Sequence, residues 1–152
     1  MLTRESILNG VVYDMLTLAQ EDWRIQSDEE MAESRRALLA EMEPGEDVWV
    51  FGYGSLIWNP AFHFVERRIG IAHGFHRRYC LWSHIGRGTK EKPGLMLALD
   101  HGGSCRGVAY RIAQGEIDSE LDVLWRREMV GGAYVPRWQT IRTADGQMRA
   151  IT

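Results

Sequence analysis

Glu128 is the residue whose type and position most clearly suggest chemistry. The sequence predicts a helix from about Asp118 to Met129, and at about 100° per residue Glu128 falls within its apolar stripe. The other members of that stripe are Ile117, Leu121, Leu124 and Trp125. A buried carboxylate is costly unless it is paired, protonated or used. Burial and the negative end of the helix dipole both raise a carboxyl pKa, as a general base near neutral pH requires.

A structural role for Glu128 is the alternative. A nearby arginine, for example one reaching in from the predicted sheet, could pair with the carboxylate, and buried ion pairs also perturb pKa values. Periodicity alone does not decide between the two roles. The other acidic residues of this helix are predicted to lie on its flanks or its far side, and they are Asp118, Glu120 and Asp122.

A second candidate site begins where an apolar run ends in glycines. Residues 48–51 are β-branched or aromatic, as expected of a strand that is covered on both faces. Gly52 and Gly54 then flank Tyr53. Because glycine permits positive φ angles and close backbone approach, this turn could direct successive N–H groups at an anion. The alternatives are an ordinary hairpin turn with Tyr53 in the core, or a strand-to-helix corner.

Other catalytic arrangements have weaker support in the sequence. His73, His76, Cys80 and His84 are of types that bind metals. On one strand, however, the last three would lie two pleats apart, so they could not easily converge on one ion. Residues 86–90 lack the spacing of a phosphate-binding Walker loop. Ser55 does not belong to a Gly-x-Ser-x-Gly nucleophile elbow. We therefore expect neither a metal nor a cofactor.

Composition narrows the classes of partner and location. The formal net charge of −3 and the pI near 6.0 argue against a nucleic-acid partner. Two cysteines without a Cys-x-x-Cys motif, and the lack of a signal peptide, predict a cytoplasmic protein. No apolar run reaches the ~18–20 residues of a membrane span. Four arginine pairs are interpreted as solvated, namely Arg35-Arg36, Arg67-Arg68, Arg77-Arg78 and Arg126-Arg127.

The sequence predicts an N-terminal helical segment over residues 1–47. Thr3 can cap a helix that runs to about Gln20. Ser27 and Glu30 form a capping box for a second helix, which the Pro44-Gly45 pair ends. We expect these helices to cover the catalytic unit, and a partner-docking face is the alternative.

Strands are predicted to dominate the middle of the chain. Residues 64–83 have strand character with bends at Gly70 and Gly74, and residues 84–94 are predicted to form a mobile surface loop. Two further strands, over residues 95–99 and 105–112, are predicted to form a hairpin across the intervening glycines. More strands are expected from Tyr134 onward. This order indicates an α+β fold with a curved or closed sheet.

Together these segments resemble the ChaC family of glutathione-specific γ-glutamylcyclotransferases. The resemblance covers about residues 48–140, and the Tyr-Gly-Ser-Leu motif followed downstream by a glutamate is highly specific. It implies a small mixed β-barrel with peripheral helices, in a domain over residues 48–152. It rests on Val50-Phe-Gly-Tyr-Gly-Ser-Leu-Ile-Trp58, Arg77-Arg-Tyr79, Lys92-Pro-Gly94, Gly107-Val-Ala-Tyr110, and Arg127-Glu128 followed by Gly132-x-Tyr134.

The resemblance implies a site and a reaction. Glu128 would be the catalytic base, and glutathione would be cleaved to 5-oxoproline and Cys-Gly. The α-amine of a γ-glutamyl amide is its own nucleophile, and its positioning is worth at most ~7–11 kcal/mol. Backbone N–H groups of residues 53–56 would hold the α-carboxylate while Glu128 moves the proton. The implied γ-glutamyl pocket consists of Val50, Phe51, Gly52, Tyr53, Gly54, Ser55 and Leu56.

Two other functions remain open on the sequence. One is a non-catalytic γ-glutamyl-binding regulator of a transport system, and the other is a cyclotransferase for another γ-glutamyl amine. In either case the expected partner is a small molecule, and the sequence does not set the oligomeric state.

The C-terminus departs from the family pattern. Family members continue for another strand or more and a helical region, whereas this sequence stops at Ala150-Ile-Thr152. We therefore expect the C-terminal part to be missing and the sheet to have an open edge. The chain would then be a fragment, or active only when something else covers that edge.

Overall fold

The computed structural model describes residues 2–19, 24–83 and 88–152. Within these ranges, four α-helices surround a five-stranded barrel. The helices are α1 (Arg4–Leu8), α2 (Val11–Leu18), α3 (Asp28–Leu39) and α4 (Ile117–Glu128). The strands are β1 (Val48–Gly52), β2 (Glu66–Ser83), β3 (Gly94–Ile112), β4 (Trp138–Thr143) and β5 (Gly146–Ile151). None of the helices in the described ranges is long and apolar enough to cross a membrane.

The strands form a closed barrel in the order β1-β3-β2-β4-β5. Four of the neighbouring pairs are antiparallel, and β1 pairs with β5 in parallel through Val50 and Ile151. This confirms the small mixed barrel that the resemblance implies. The expected open edge is wrong, because β5 already reaches back to β1 and pairs with it.

Two apolar clusters lie on opposite faces of β1. Successive residues of a strand point to opposite faces, so Trp49 and Phe51 face one way while Val48 and Val50 face the other. All four side chains are buried, which confirms the prediction of a strand covered on both faces. The cluster that contains Val48 and Val50 joins the barrel to the helices. The cluster that contains Trp49 and Phe51 fills the barrel with side chains from all five strands, namely Trp49, Phe51, Ala72, Cys105, Ala109, Ile141 and Ala150.

The hairpin predicted between residues 99 and 105 is wrong. The chain does not reverse there, because β3 runs unbroken and pairs with β2 along its length. The register shifts where His73 pairs with Ser104 and Phe75 pairs with His101. Gly102 and Gly103, with φ of 95° and 71°, accommodate this bulge. The glycines therefore bend the strand instead of ending it.

The first predicted helix is interrupted. Thr3 caps α1 as expected, with a capping box formed by Ser6. However, α1 ends at Leu8, and Gly10 with φ 83° starts α2 in a new direction. The predicted end near Gln20 lies outside the described residues. The capping box of Ser27 and Glu30 at the start of α3 is confirmed.

The position predicted for Glu120 is wrong. Its side chain is only 2% exposed, because α1 packs over a face of α4 that periodicity assigns to solvent. Both terminal nitrogens of Arg4 bond to its carboxylate, one of them at 2.9 Å. The backbone N–H of His63 donates to the same carboxylate at 2.7 Å. Glu120 is therefore a buried connection between α1 and α4.

Candidate active site

The loop after β1 is a strand-to-helix corner. β1 ends at Gly52, and a short 3₁₀-helix (Ser55–Ile57) begins three residues later. The N–H of Ile57 donates to the carbonyl of Gly54 at 3.0 Å. The first N–H groups of a helix have no partner within it, so those of Ser55 and Leu56 are not used by this turn. Of the two alternatives for this stretch, the hairpin turn is therefore wrong.

Gly52 has a packing role at this corner. A Cβ atom at Gly52 would lie 2.9 Å from Cβ of Leu56 and 3.4 Å from the ring of Tyr110. The hydroxyl of Tyr110 also donates to the carbonyl of Leu56 at 3.0 Å. A side chain at position 52 would therefore displace the loop from the barrel wall.

Glu128 lies at the last turn of α4 and faces this loop through an arginine. Its side chain is 20% exposed, and its Oε1 lies 2.9 Å from Nε of Arg127. Nη2 of Arg127 donates to Oγ of Ser55 at 3.0 Å, and Nη1 donates to the carbonyl of Asn59. One guanidinium therefore joins the end of α4 to both ends of the corner.

These contacts revise two expectations about arginine. The carboxylate of Glu128 is paired with a nearby arginine, as the structural alternative predicts, and this arginine is the neighbouring residue on α4 instead of one from the sheet. Arg127 was expected to be solvated, whereas its side chain is only 6% exposed. The reason is that its hydrogen-bond acceptors, Ser55 and Asn59, are far away in sequence and cover it only in the folded chain.

Burial controls the protonation of the two central side chains. Burial raises the pKa of Glu128, and the neighbouring Arg127 charge offsets only part of this rise. Burial also raises the pKa of Tyr53, with further increases from Tyr134 and from the negative charge of Glu128. Tyr53 therefore remains a protonated hydroxyl in the physiological range and lies within electrostatic reach of Glu128.

One cavity of about 1010 Å³ brings the two candidate sites together. Glu128 and Arg127 line it at the end of α4, and Tyr134 lines it from the segment that follows. This volume is at the upper end of the range for small-molecule sites. Gly52 is not among the residues that line the cavity, but the other predicted pocket residues are, namely Val50, Phe51, Tyr53, Gly54, Ser55 and Leu56.

Two contributors to this cavity were given no role by sequence reasoning. Arg127 directly precedes Glu128, and Tyr134 follows in the same motif, so both were visible within the family pattern. The hydroxyl of Tyr134 donates to the carbonyl of Leu97 at 3.3 Å. Their partners are distant in sequence, so no local pattern could have predicted these contacts.

The alternative metal site is not assembled in the part of the chain that the structure describes. No three His, Cys, Asp or Glu side chains converge there in a way that could hold a metal ion. Nδ1 of His76 lies 3.0 Å from the carbonyl of Gly102, and Cys80 is an exposed free thiol. His84 and Gly86 lie outside the described residues.

The chain has clear similarity to known proteins. The family model described as "ChaC-like protein" matches residues 48–150. A glutathione-specific γ-glutamylcyclotransferase of Escherichia coli is 44% identical over 149 residues, which are 97% of this chain and 63% of that protein. Glutathione-specific γ-glutamylcyclotransferase 1 of Homo sapiens is 38% identical over 100 residues, covering 64% of this chain and 45% of the human protein.

Solved structures agree with these sequence matches. The crystal structure of a yeast γ-glutamyl cyclotransferase specific to glutathione superimposes with a TM-score of 0.59 and 26% identity. That match covers 65% of this chain and 54% of the yeast chain. The present chain therefore spans less than two thirds of the length of each of these relatives. Since the family model covers the barrel except for the last residue of β5, together with α4 and the Tyr53 corner, this chain belongs to the family of ChaC-like proteins.

Proposed function

We propose that this protein is a γ-glutamylcyclotransferase that cleaves glutathione to 5-oxoproline and Cys-Gly. The observation that carries the proposal is the meeting of Glu128 with the Tyr53–Leu56 corner in one cavity. The names of the Escherichia coli, human and yeast relatives support glutathione as the substrate. These names are those of enzymes, so they give no support to a non-catalytic transport regulator.

The reaction needs no nucleophile from the protein. The α-amine of the γ-glutamyl group attacks the side-chain carbonyl of the same residue and closes a five-membered ring. The bond from this carbonyl to the cysteine nitrogen then breaks. Holding the substrate in this folded shape can lower the barrier by several kcal/mol, with ~7–11 kcal/mol as the upper limit for such positioning.

Glu128 moves one proton through this reaction. Its carboxylate accepts a proton from the α-ammonium, which frees the attacking amine. The same proton is then returned to the nitrogen of the departing Cys-Gly, so Glu128 ends in its starting state. The attacking nitrogen loses its second proton to water as it becomes the ring amide, and the departing amine takes up a proton from water and leaves as an ammonium. The raised pKa of Glu128 suits it to both steps, because it brings the carboxyl closer to neutral pH.

The remaining groups position the substrate. The N–H groups of residues 53–56 hold the α-carboxylate, and the protonated hydroxyl of Tyr53 supplies a further donor. Arg127 fixes the carboxylate of Glu128 against the same corner through Ser55. Binding and proton transfer are therefore organised around a single guanidinium.

Replacement of Glu128 by glutamine tests this assignment. Glu128→Gln keeps the size of the side chain but removes the base, so 5-oxoproline release from glutathione should fall about 100-fold or more. Glu116→Gln is the matched control, because Glu116 is exposed at the other end of α4 and does not line the cavity. Circular dichroism checks that both variants are folded. Unchanged turnover in folded Glu128→Gln would refute the proposed role.

We also propose a cytoplasmic location. Cys80 and Cys105 are both free thiols, which is typical of proteins from a reducing compartment. A small γ-glutamyl peptide, glutathione, is the proposed partner.

A further inference from the structure

Glutathione carries two carboxylates, and the proposed function accounts for only one of them. The Tyr53–Leu56 corner holds the α-carboxylate of the γ-glutamyl group. The second carboxylate belongs to the glycine at the other end of the tripeptide. A cation placed for this second group would distinguish glutathione from other γ-glutamyl amides.

Arg137 occupies the barrel rim at the start of β4. It exchanges both main-chain hydrogen bonds with Thr152, at N···O distances of 3.0 and 2.8 Å, so the ladder between β4 and β5 extends to this pair. By strand alternation, Arg137 shares a face with Gln139 and with Ile141, which lies in the cluster that fills the barrel. Arg137 and Gln139 both line the large cavity.

Arg137 is the cation that this cavity leaves available. Of the arginines that line the cavity within the described residues, Arg127 is already paired with Glu128, whereas no ion pair with a described residue engages Arg137. The other basic group on the wall, His101, packs its ring against Phe75 with the ring centres 5.2 Å apart.

The spacing of the barrel suits a tripeptide. β4 is separated from β1 by β5 alone, so the two strands lie two strand spacings, or ~10 Å, apart. Ile151 pairs with both Val50 and Trp138, which sets Arg137 level with the end of β1 that feeds the corner. Three extended residues also span ~10 Å. A γ-glutamyl group held at the corner can therefore present its third residue to Arg137.

We propose that Arg137 binds the glycine carboxylate of glutathione and is the residue that favours this tripeptide over γ-glutamyl amides without that carboxylate. This inference rests on the proposed function, because it assumes that the γ-glutamyl end is held at the Tyr53 corner. Arg137 is distant from the reacting amide in this arrangement. It contributes to substrate binding and has no part in the proton transfer.

The test removes the positive charge of Arg137 from the protein and the negative charge of the glycine carboxylate from the substrate, one at a time. Release of 5-oxoproline is measured with glutathione and with its glycine ethyl ester, using the wild type, Arg137→Gln and Arg137→Lys. Arg142→Gln is the matched control, because Arg142 is an exposed arginine of β4 that does not line the cavity. Arg137 is itself exposed, so the fold should survive, and thermal melting checks this.

We expect Arg137→Gln to raise the KM for glutathione about fivefold and to leave kcat unchanged, as for loss of an exposed ion pair. With the ethyl ester, the wild type and Arg137→Gln should have equal KM values, and Arg137→Lys should retain most of the preference for the free carboxylate. Arg142→Gln should behave as the wild type with both substrates. Equal effects of Arg137→Gln on both substrates, or no effect on either, would overturn the inference.

Failure of the proposed function would look different. In that case the wild type would release no 5-oxoproline from either compound. Binding calorimetry of glutathione and its ethyl ester to the same four proteins would still test Arg137, because the predicted difference is one of affinity. If the wild type releases 5-oxoproline but binds glutathione and its ethyl ester with equal affinity, only the inference about Arg137 is refuted.

Discussion

Arg127 joins the proposed general base to the proposed binding loop. Its guanidinium contacts Glu128, Ser55 and the carbonyl of Asn59 at once, and its side chain is almost completely buried. The positive charge lowers the pKa of Glu128 against the larger effect of burial. The protonation of the base therefore depends on a residue that does not itself need to touch the substrate.

Loss of this arginine should move the pH dependence of the reaction. In Arg127→Met, burial acts on Glu128 without an opposing charge, so the pKa of Glu128 rises further. Because the ionised carboxylate is the active form in the proposed mechanism, activity should be lost as the pH falls through this pKa. The acid limb of kcat/KM against pH should therefore lie at higher pH than in the wild type.

Two variants complete the experiment on Arg127. Arg127→Lys retains a charge at this position, so its acid limb should lie closer to that of the wild type. Arg126→Met is the matched control, because Arg126 pairs with Asp122 and Asp28 and does not line the cavity. An acid limb that is the same in folded Arg127→Met, Arg127→Lys and the wild type would contradict the positioning role.

At the scale of the elements, α4 is held in place by the buried carboxylate of Glu120. Burial acts to raise the pKa of Glu120, but the N–H of His63 and the guanidinium of Arg4 outweigh it and hold the pKa below the ordinary value. Such a group stabilises the fold above the unfolded-state pKa of about 4.3. This contribution is lost as the pH falls through the lower folded-state pKa.

Removal of Arg4 should destabilise the packing of α1 on α4. Arg4→Met leaves the carboxylate of Glu120 buried without its cation, so the free energy of unfolding at neutral pH should fall by about 3 kcal/mol. The loss should become smaller below about pH 4 as Glu120 is protonated. Chemical denaturation at several pH values measures both effects.

An exposed ion pair provides the control for Arg4. Arg24→Met removes the pair with Glu30, in which the arginine is 84% exposed, and it should change the unfolding free energy little at any pH. Equal stability of Arg4→Met and the wild type at neutral pH would show that Glu120 is not a structural connection between the helices.

The elements differ in how far the sequence could predict them. The start of α3, the apolar strand β1 and the extent of α4 follow from neighbouring residues, and they were predicted correctly. The break at Gly10 and the course of β3 were not predicted. For β3 the reason is that a glycine pair permits a bulge as readily as a turn. The burial of Glu120 depends on Arg4, which is distant in sequence.

At the scale of the whole molecule, the closed barrel and the helices around it form one connected structure. Ile7 of α1 and Leu38 of α3 belong to the same apolar cluster as Val50 and Trp125. Periodicity predicted the inward position of Glu128, and the resemblance predicted the loop that it faces. The sequence alone could not predict that Arg127 joins Glu128 to Ser55, or that Arg137 lies on the wall of the same cavity. Each of these arrangements depends on how distant strands and helices meet.

In the proposed reaction the substrate's own amine closes the ring, and analysis of the products formed in water enriched in heavy oxygen tests this step most directly. The wild-type chain is incubated with glutathione in such water, and the products are analysed by mass spectrometry. Ring closure should give equal amounts of Cys-Gly and 5-oxoproline, with no heavy oxygen in the 5-oxoproline. Labelled glutamate in its place would show attack by water on the amide and would contradict the account.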